Sequence, residues 1–166
     1  MRRTLVFALA LLATMTVAAA PSRKVLIEKN VDQLVALFND GVAVEHPKYR
    51  RIEFGKIFGS DQEDAIALFS LEGFHGGNED AEYLAFFQSV EQVQIAGRTT
   101  RLFRLVAVTK IGGRSWRFFD WKTIKLGSGF VTLSGAKYGP EDAACCPSVP
   151  ILVTFRIKEG FISESK

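Results

Sequence analysis

Histidine and cysteine are scarce in this chain, with two of each in 166 residues. A zinc site usually takes four ligands, with cysteines two to four residues apart so that both sulfurs reach one ion. Cys145 and Cys146 are adjacent, and neither His46 nor His75 stands at ligand spacing to them or to the other. Metal handling is therefore poorly supported, and both histidines are expected to be ordinary exposed side chains. No Cys-x-x-Cys and no Gly-x-Ser-x-Gly occurs, which argues against thioredoxin-like exchange and against a serine nucleophile on a strand–helix elbow. Beyond the first twenty residues no apolar run approaches the ~18 positions that a spanning helix needs. Charge of one sign is also missing: 21 Lys and Arg stand against 18 Asp and Glu. Nucleic-acid binders show a clustered basic face, and none is visible.

What the chain does have begins with MRRTLVFALALLATMTVAAAP. Arg2 and Arg3 precede an apolar core, Leu5 to Leu12, and then the small residues Val17-Ala18-Ala19, the three-part order of a secretory signal peptide. Residues 1–19 are read as that leader, with cleavage after Ala19, and residues 20–166 as a single β-rich domain located in the periplasm. The arginine pair leaves with the leader, so the net charge of +3 falls to about +1. A domain of this length can build a hydrophobic core without disulfide staples.

The first mature element carries apolar residues at Ile27, Val31, Leu34, Val35 and Phe38, a helical spacing. Asn30 as N-cap, Gln33 three residues on and Gly41 as terminator predict a helix from about 31 to 39. Everything after it reads as strand, rich in aromatic and β-branched residues: 51–58, 64–72, 82–90, 100–109, 115–124, 130–134, 151–157 and 161–163. Glycine-bearing breaks separate them at Gly73 to Asn78, Gly97, Gly112-Gly113, Gly127 to Gly129, Gly135 to Ser148 and Glu159-Gly160. Such short connections leave no room for crossover helices. The expected class is mainly β (α+β): a curled antiparallel β meander, as a sandwich or partly open barrel, with one N-terminal helix.

Two islands, DAIALFSLEGFHGGNEDAEYLAFF (64–87) and WRFFDWKTI with GFVTLSGAKYGPEDAACCPSVP (116–150), resemble a group of uncharacterised exported proteins of Gram-negative bacteria. In that group an apolar strand ends in a Gly-Gly-Asn loop, here Gly76-Gly77-Asn78, and a late Asp-x-x-Cys-Cys-Pro-Ser loop, here Asp142 to Ser148, precedes the final hairpin. The resemblance covers about residues 50–160 and implies a fold and an exported location, without an activity.

Consecutive Cα atoms lie about 3.8 Å apart across a trans peptide and ~2.9 Å across a cis one, both below the usual disulfide span. A bond between Cys145 and Cys146 would thus be a local knuckle that closes almost no chain. Two free thiols or a bridge to another chain are the alternatives. The acidic stretches Asp61 to Asp64 and Asn78 to Asp80 lack the alternating oxygens and central glycine of an EF-hand loop and read as solvated turns. Asp64 is placed to cap the start of its strand, and Glu72 to pair with a loop amide or an arginine. Alternation puts Trp116 and Phe118 on one face and Phe119 and Trp121 on the other, as in a strand packed on both sides, so these aromatics read as core rather than as a ligand platform.

These observations favour a non-enzymatic periplasmic binding or interaction module whose partner is a protein or envelope component, with no cofactor and no nucleic acid. Its candidate interaction loops hold His75, Gly76, Gly77, Asn78, Asp142, Cys145, Cys146, Pro147 and Ser148. An inhibitor or immunity protein against a cell-wall hydrolase or delivered toxin is the narrower alternative. A redox or metal-handling protein using the cysteine pair is the rival from another class.

Overall fold

The computed structural model describes residues 21–95, 98–143 and 145–165. The segment read as a signal peptide, residues 1–19, lies outside the described residues, as does the break read at Gly97. Among the described residues there is one helix, α1 (Arg23–Phe38), followed by ten strands. These are β1 (Val44–Glu45), β2 (Arg51–Gly55), β3 (Asp64–Phe74), β4 (Glu79–Ile95), β5 (Arg98–Gly113), β6 (Arg117–Phe119), β7 (Lys125–Gly127), β8 (Phe130–Lys137), β9 (Val149–Lys158) and β10 (Phe161–Ser165). All pair antiparallel in one open sheet in the order β1-β3-β4-β5-β6-β8-β9-β10, with β2 beside β3 and β7 beside β8. The expected curled meander with one N-terminal helix is what forms, and it does not close into a barrel.

The nearly continuous apolar run of β3 has a simple cause: both of its faces are covered. Ile66 and Leu68 join Leu84, Phe86, Val131, Leu133, Val153 and Phe155 in a core enclosed by the curl of the sheet. Ala65, Ala67 and Phe69 point the other way, where with Ala85, Phe87 and Phe103 they meet Ile27, Val31 and Leu34 of α1. The small alanines and the large phenylalanines of this face pack together against the apolar stripe of α1. Arg50 anchors the same helix: its buried guanidinium grips Glu45 in a fork and meets Asp32 at 2.7 Å.

The helix begins earlier than its sequence signals suggest. Ser22 is the N-cap, accepting from the Val25 N–H at 3.3 Å, and Asn30 lies inside the helix with its side chain donating to the Leu26 carbonyl. The cap-box reading at Asn30 is therefore wrong; a good capping residue became an interior one because Ile27 packs in the same stripe as Val31. Strands β4 and β5 are also longer than read, since the Gly112-Gly113 break falls inside β5. Gly112 faces Glu82 across the ladder, and a Cβ there would overlap Glu82 Oε2. Gly135 likewise sits within β8, where a Cβ would strike the Phe118 carbonyl of β6. These glycines mark close approaches rather than turns.

The stretch 115–124 is not one strand. It ends at Phe119, and Asp120 then caps a short 3-10 turn, Trp121–Thr123, by accepting from the Lys122 N–H at 3.0 Å. Of the two readings of Asp64, solvated turn residue and cap at its strand's entry, the first fails, and its carboxylate is an acceptor for backbone N–H groups. The residue is 0% exposed and accepts from the N–H groups of Ile57, Phe58 and Ser89 at 3.0, 2.8 and 3.0 Å. One carboxylate thus latches the 56–63 loop to β4.

Candidate functional site

Successive strands run in opposite directions, so alternate connections gather at one end of the sheet. The β3–β4 turn, the β5–β6 turn and the β8–β9 loop share such an end. The two loops singled out in the sequence are therefore neighbours in space, with the β5–β6 turn linking them. Arg114 of that turn donates from its backbone to Asp80 Oδ1 at 3.1 Å and from its guanidinium to the Asn78 carbonyl at 3.3 Å. On the other side the Tyr138 N–H donates to the Trp116 carbonyl at 3.4 Å, and the Phe118 and Tyr138 rings lie 6.4 Å apart.

Each loop is held by one aspartate. In the β3–β4 turn, Gly73, His75 and Gly76 adopt positive φ, and Asp40 beyond the end of α1 accepts from the His75 N–H at 2.7 Å. Asp40 also accepts from Val42 and Ala43, and these backbone donors hold its carboxyl down at about 2. His75 itself projects outward, its Nδ1 3.3 Å from the same carboxylate. In the β8–β9 loop Asp142 accepts from the Gly139 N–H and the Ser148 N–H, both at 2.7 Å, and from the Ser148 hydroxyl at 2.6 Å. The Gly139 amide, then Ser148, lower its pKa. Both ends of the loop are thereby tied to one side chain. Asp40 carries no sequence signal beyond its place after a helix; Asp142 and Ser148 do, through the cysteine motif.

The sulfurs of Cys145 and Cys146 lie at bonding distance across a trans peptide, with Cα atoms 3.8 Å apart. Both residues are exposed, while Pro147 is half-buried. The knuckle thus faces solvent, and the Cys146 N–H closes a turn onto the Ala143 carbonyl at 3.0 Å. Among the described residues no three of His, Cys, Asp and Glu gather in a metal-binding arrangement. His46 lies 3.9 Å from Glu72, which finds this imidazole rather than the arginine or amide expected of it.

A cleft of about 640 Å³ opens beside the β8–β9 loop. Trp116 and Arg117 form one wall, Lys137 and Tyr138 a second, the β9 segment Val149 to Val153 the floor, and Glu164 of β10 the far side. Trp116 is 44% exposed, so it belongs to this surface and not to a core, contrary to the alternation argument. Its ring lies over the Arg117 guanidinium at 4.0 Å. Arg117 is itself only 5% exposed, forked onto both Glu164 oxygens at 3.1 and 2.6 Å and donating to the Ile111 carbonyl at 2.6 Å. A second depression of about 670 Å³ lies across the β5–β6 turn, between His46, Glu72, Asn78, Asp80, Arg114 and Phe118.

Behind these walls Glu82 is 8% exposed and accepts from the Phe119 N–H at 3.1 Å. Burial pushes its pKa up to about 7; the Phe119 N–H opposes the rise and the Asp80 carboxylate adds to it. The indole Nε1 of Trp121 is buried and close enough to favour the Glu82 charge, without reaching hydrogen-bond geometry. Sequence reading missed Glu82, Arg117 and Glu164 because the pairs they form join distant strands. The only local signal was Gly112, which leaves the space that the Glu82 carboxylate fills.

Comparison of the chain with models of known protein families, with curated proteins and with solved structures finds no match.

Proposed function

We propose that the protein is a non-enzymatic, exported binding module that works in the periplasm and engages its partner with the loop end of the sheet. The observation that carries this reading is the convergence of the Gly76-Gly77-Asn78 turn and the Asp142–Ser148 loop on one end, each fixed by a single aspartate. Loops already held in one conformation lose little freedom on binding. Rigid strands behind them supply the scaffold on which recognition loops are commonly carried.

The test is site-specific photo-cross-linking in the producing cell, with the cross-linker at Asn78 or Ser148 and, as controls, at Ser60 or Phe161 of the opposite end. Adducts, whether protein, lipid or glycan, are expected from the first pair. Equal yields from Ser60 and Phe161, or adducts from those alone, would refute the reading. The solvent-facing Cys145-Cys146 knuckle favours a second version, insertion of the β8–β9 loop into the cleft of a cell-wall hydrolase or toxin. An adduct to such an enzyme through Ser148 but not Asn78 would select it.

A further inference from the structure

The cleft beside the β8–β9 loop has a charge and a shape that specify a ligand. We infer that it binds a small amphipathic anion, an aliphatic chain bearing a carboxylate or similar head group; this rests on the loop end being the binding surface.

Three charged residues line the cleft, Arg117, Lys137 and Glu164. Two of them are committed to each other: the Arg117 fork takes both Glu164 oxygens, and its remaining Nε–H goes to the Ile111 carbonyl. Lys137 is exposed and has no ion-pair partner among the described residues, so the uncompensated charge of the cleft is one positive group at its lip. A cationic ligand would meet repulsion there, and a neutral one would leave the ammonium unused.

The pairing register then fixes what lies below the lip. Arg117, Lys137 and Val149 are directly opposite one another across β6, β8 and β9, and therefore share one face of the sheet. Along β9 the same face continues through Ile151 and Val153, because side chains alternate with a period of two. Val149 and Ile151 are half-buried, and Val153 already belongs to the enclosed core. An apolar row about 13 Å long thus runs from the cationic lip toward the interior, at roughly 3.3 Å per residue. Trp116, its ring stacked with the Arg117 guanidinium, also lines the cleft. A volume of about 640 Å³ lies within the range of small-molecule sites, which are mainly apolar with a few placed polar groups. The head group pairs with Lys137 and the chain lies along Val149, Ile151 and Val153.

Calorimetric titration of the mature protein with laurate, dodecyltrimethylammonium and dodecyl maltoside tests this. The three share a chain and differ in the head, and each is used below its micelle-forming concentration. Laurate is expected to bind saturably with one molecule per chain, and more tightly than either other head by up to about fivefold, the scale of one surface ion pair. Lys137→Glu, an exposed change that leaves the circular dichroism and melting curve intact, should weaken laurate by about tenfold and reverse the preference toward the cation. Quenching of Trp116 fluorescence, absent in Trp116→Phe, should follow the same isotherm. Equal affinity for the three heads, unchanged laurate binding by Lys137→Glu, or uptake without saturation would each overturn the inference. If laurate fails while Asn78 and Ser148 still yield the cross-linked adducts, only the ligand class falls; if those adducts fail too, the binding surface itself is misplaced.

Discussion

Glu82 offers the sharpest test of the described interior, because replacing it should change how stability depends on pH rather than simply lower it. The residue is 8% exposed, and burial moves its pKa from an ordinary 4.5 to about 7. The native state therefore holds a proton on Glu82 over a pH range in which the unfolded chain has released it. Stability from this group is full below pH 4.5, falls as pH rises from 4.5 to about 7, and is flat above. That interval corresponds to about 3 kcal/mol, as an upper figure, at 1.36 kcal/mol per decade of proton affinity. Glu82→Gln retains an oxygen to accept from Phe119 and cannot ionise, so any packing penalty is a constant offset. Urea denaturation of both proteins at intervals from pH 4.5 to 8 isolates the effect, because Asp40 and Asp142, which do not act on Glu82, titrate in both and cancel. The difference in stability, variant minus wild type, should climb by up to about 3 kcal/mol across that range and then level off. A difference that stays flat, or one that falls with pH, would refute the burial argument.

Three further outcomes follow from the same interior. Asp64→Asn removes one acceptor oxygen from a site serving three backbone N–H groups, and should destabilise by at least about 2 kcal/mol in thermal or urea unfolding. Ala67→Leu inserts bulk under α1 and should cost about 1–3 kcal/mol, with faster hydrogen exchange confined to α1 showing that the helix has lifted. Reduction of Cys145-Cys146 with dithiothreitol should add two hydrogens by mass and leave the melting temperature nearly unchanged, since the bond closes almost no chain and Asp142 still ties Gly139 to Ser148. A large drop in melting temperature on reduction would show that the knuckle, and not Asp142, holds the loop.

The parts of this fold legible in the sequence are those decided by local chemistry. The unbroken apolar run of β3 and the aromatic residues Tyr83, Phe86 and Phe87 of β4 declare strands that reach the core, and Gly127 to Gly129 declares a tight turn. Where the reading failed, a distant residue had decided the matter. Gly112 and Gly135 look like breaks until Glu82 and the Phe118 carbonyl are seen to fill the space beside them. Trp116 alternates like a core residue, yet β6 begins only at Arg117, so the alternation has no ladder to impose it there. Two of the site's loops were visible because Gly-Gly-Asn and Asp-x-x-Cys-Cys-Pro-Ser are locally unusual. The cleft between β6, β9 and β10 was not visible, because its charge balance depends on Arg117 and Glu164, which meet across 47 positions of chain.

The layer formed by α1 has a consequence for the order in which the molecule is assembled. The helix is the first described element to leave the ribosome, and its buried stripe needs a surface built from Ala65, Ala67, Ala85 and Phe103. That surface does not exist until β5 has emerged and paired. Until then α1 is an amphipathic segment with an uncovered apolar stripe, and short helices of this kind are marginal alone in water. Helix α1 is thus among the last elements to find its place, and a nascent chain halted before Phe103 would expose the same stripe to whatever holds unfolded chains.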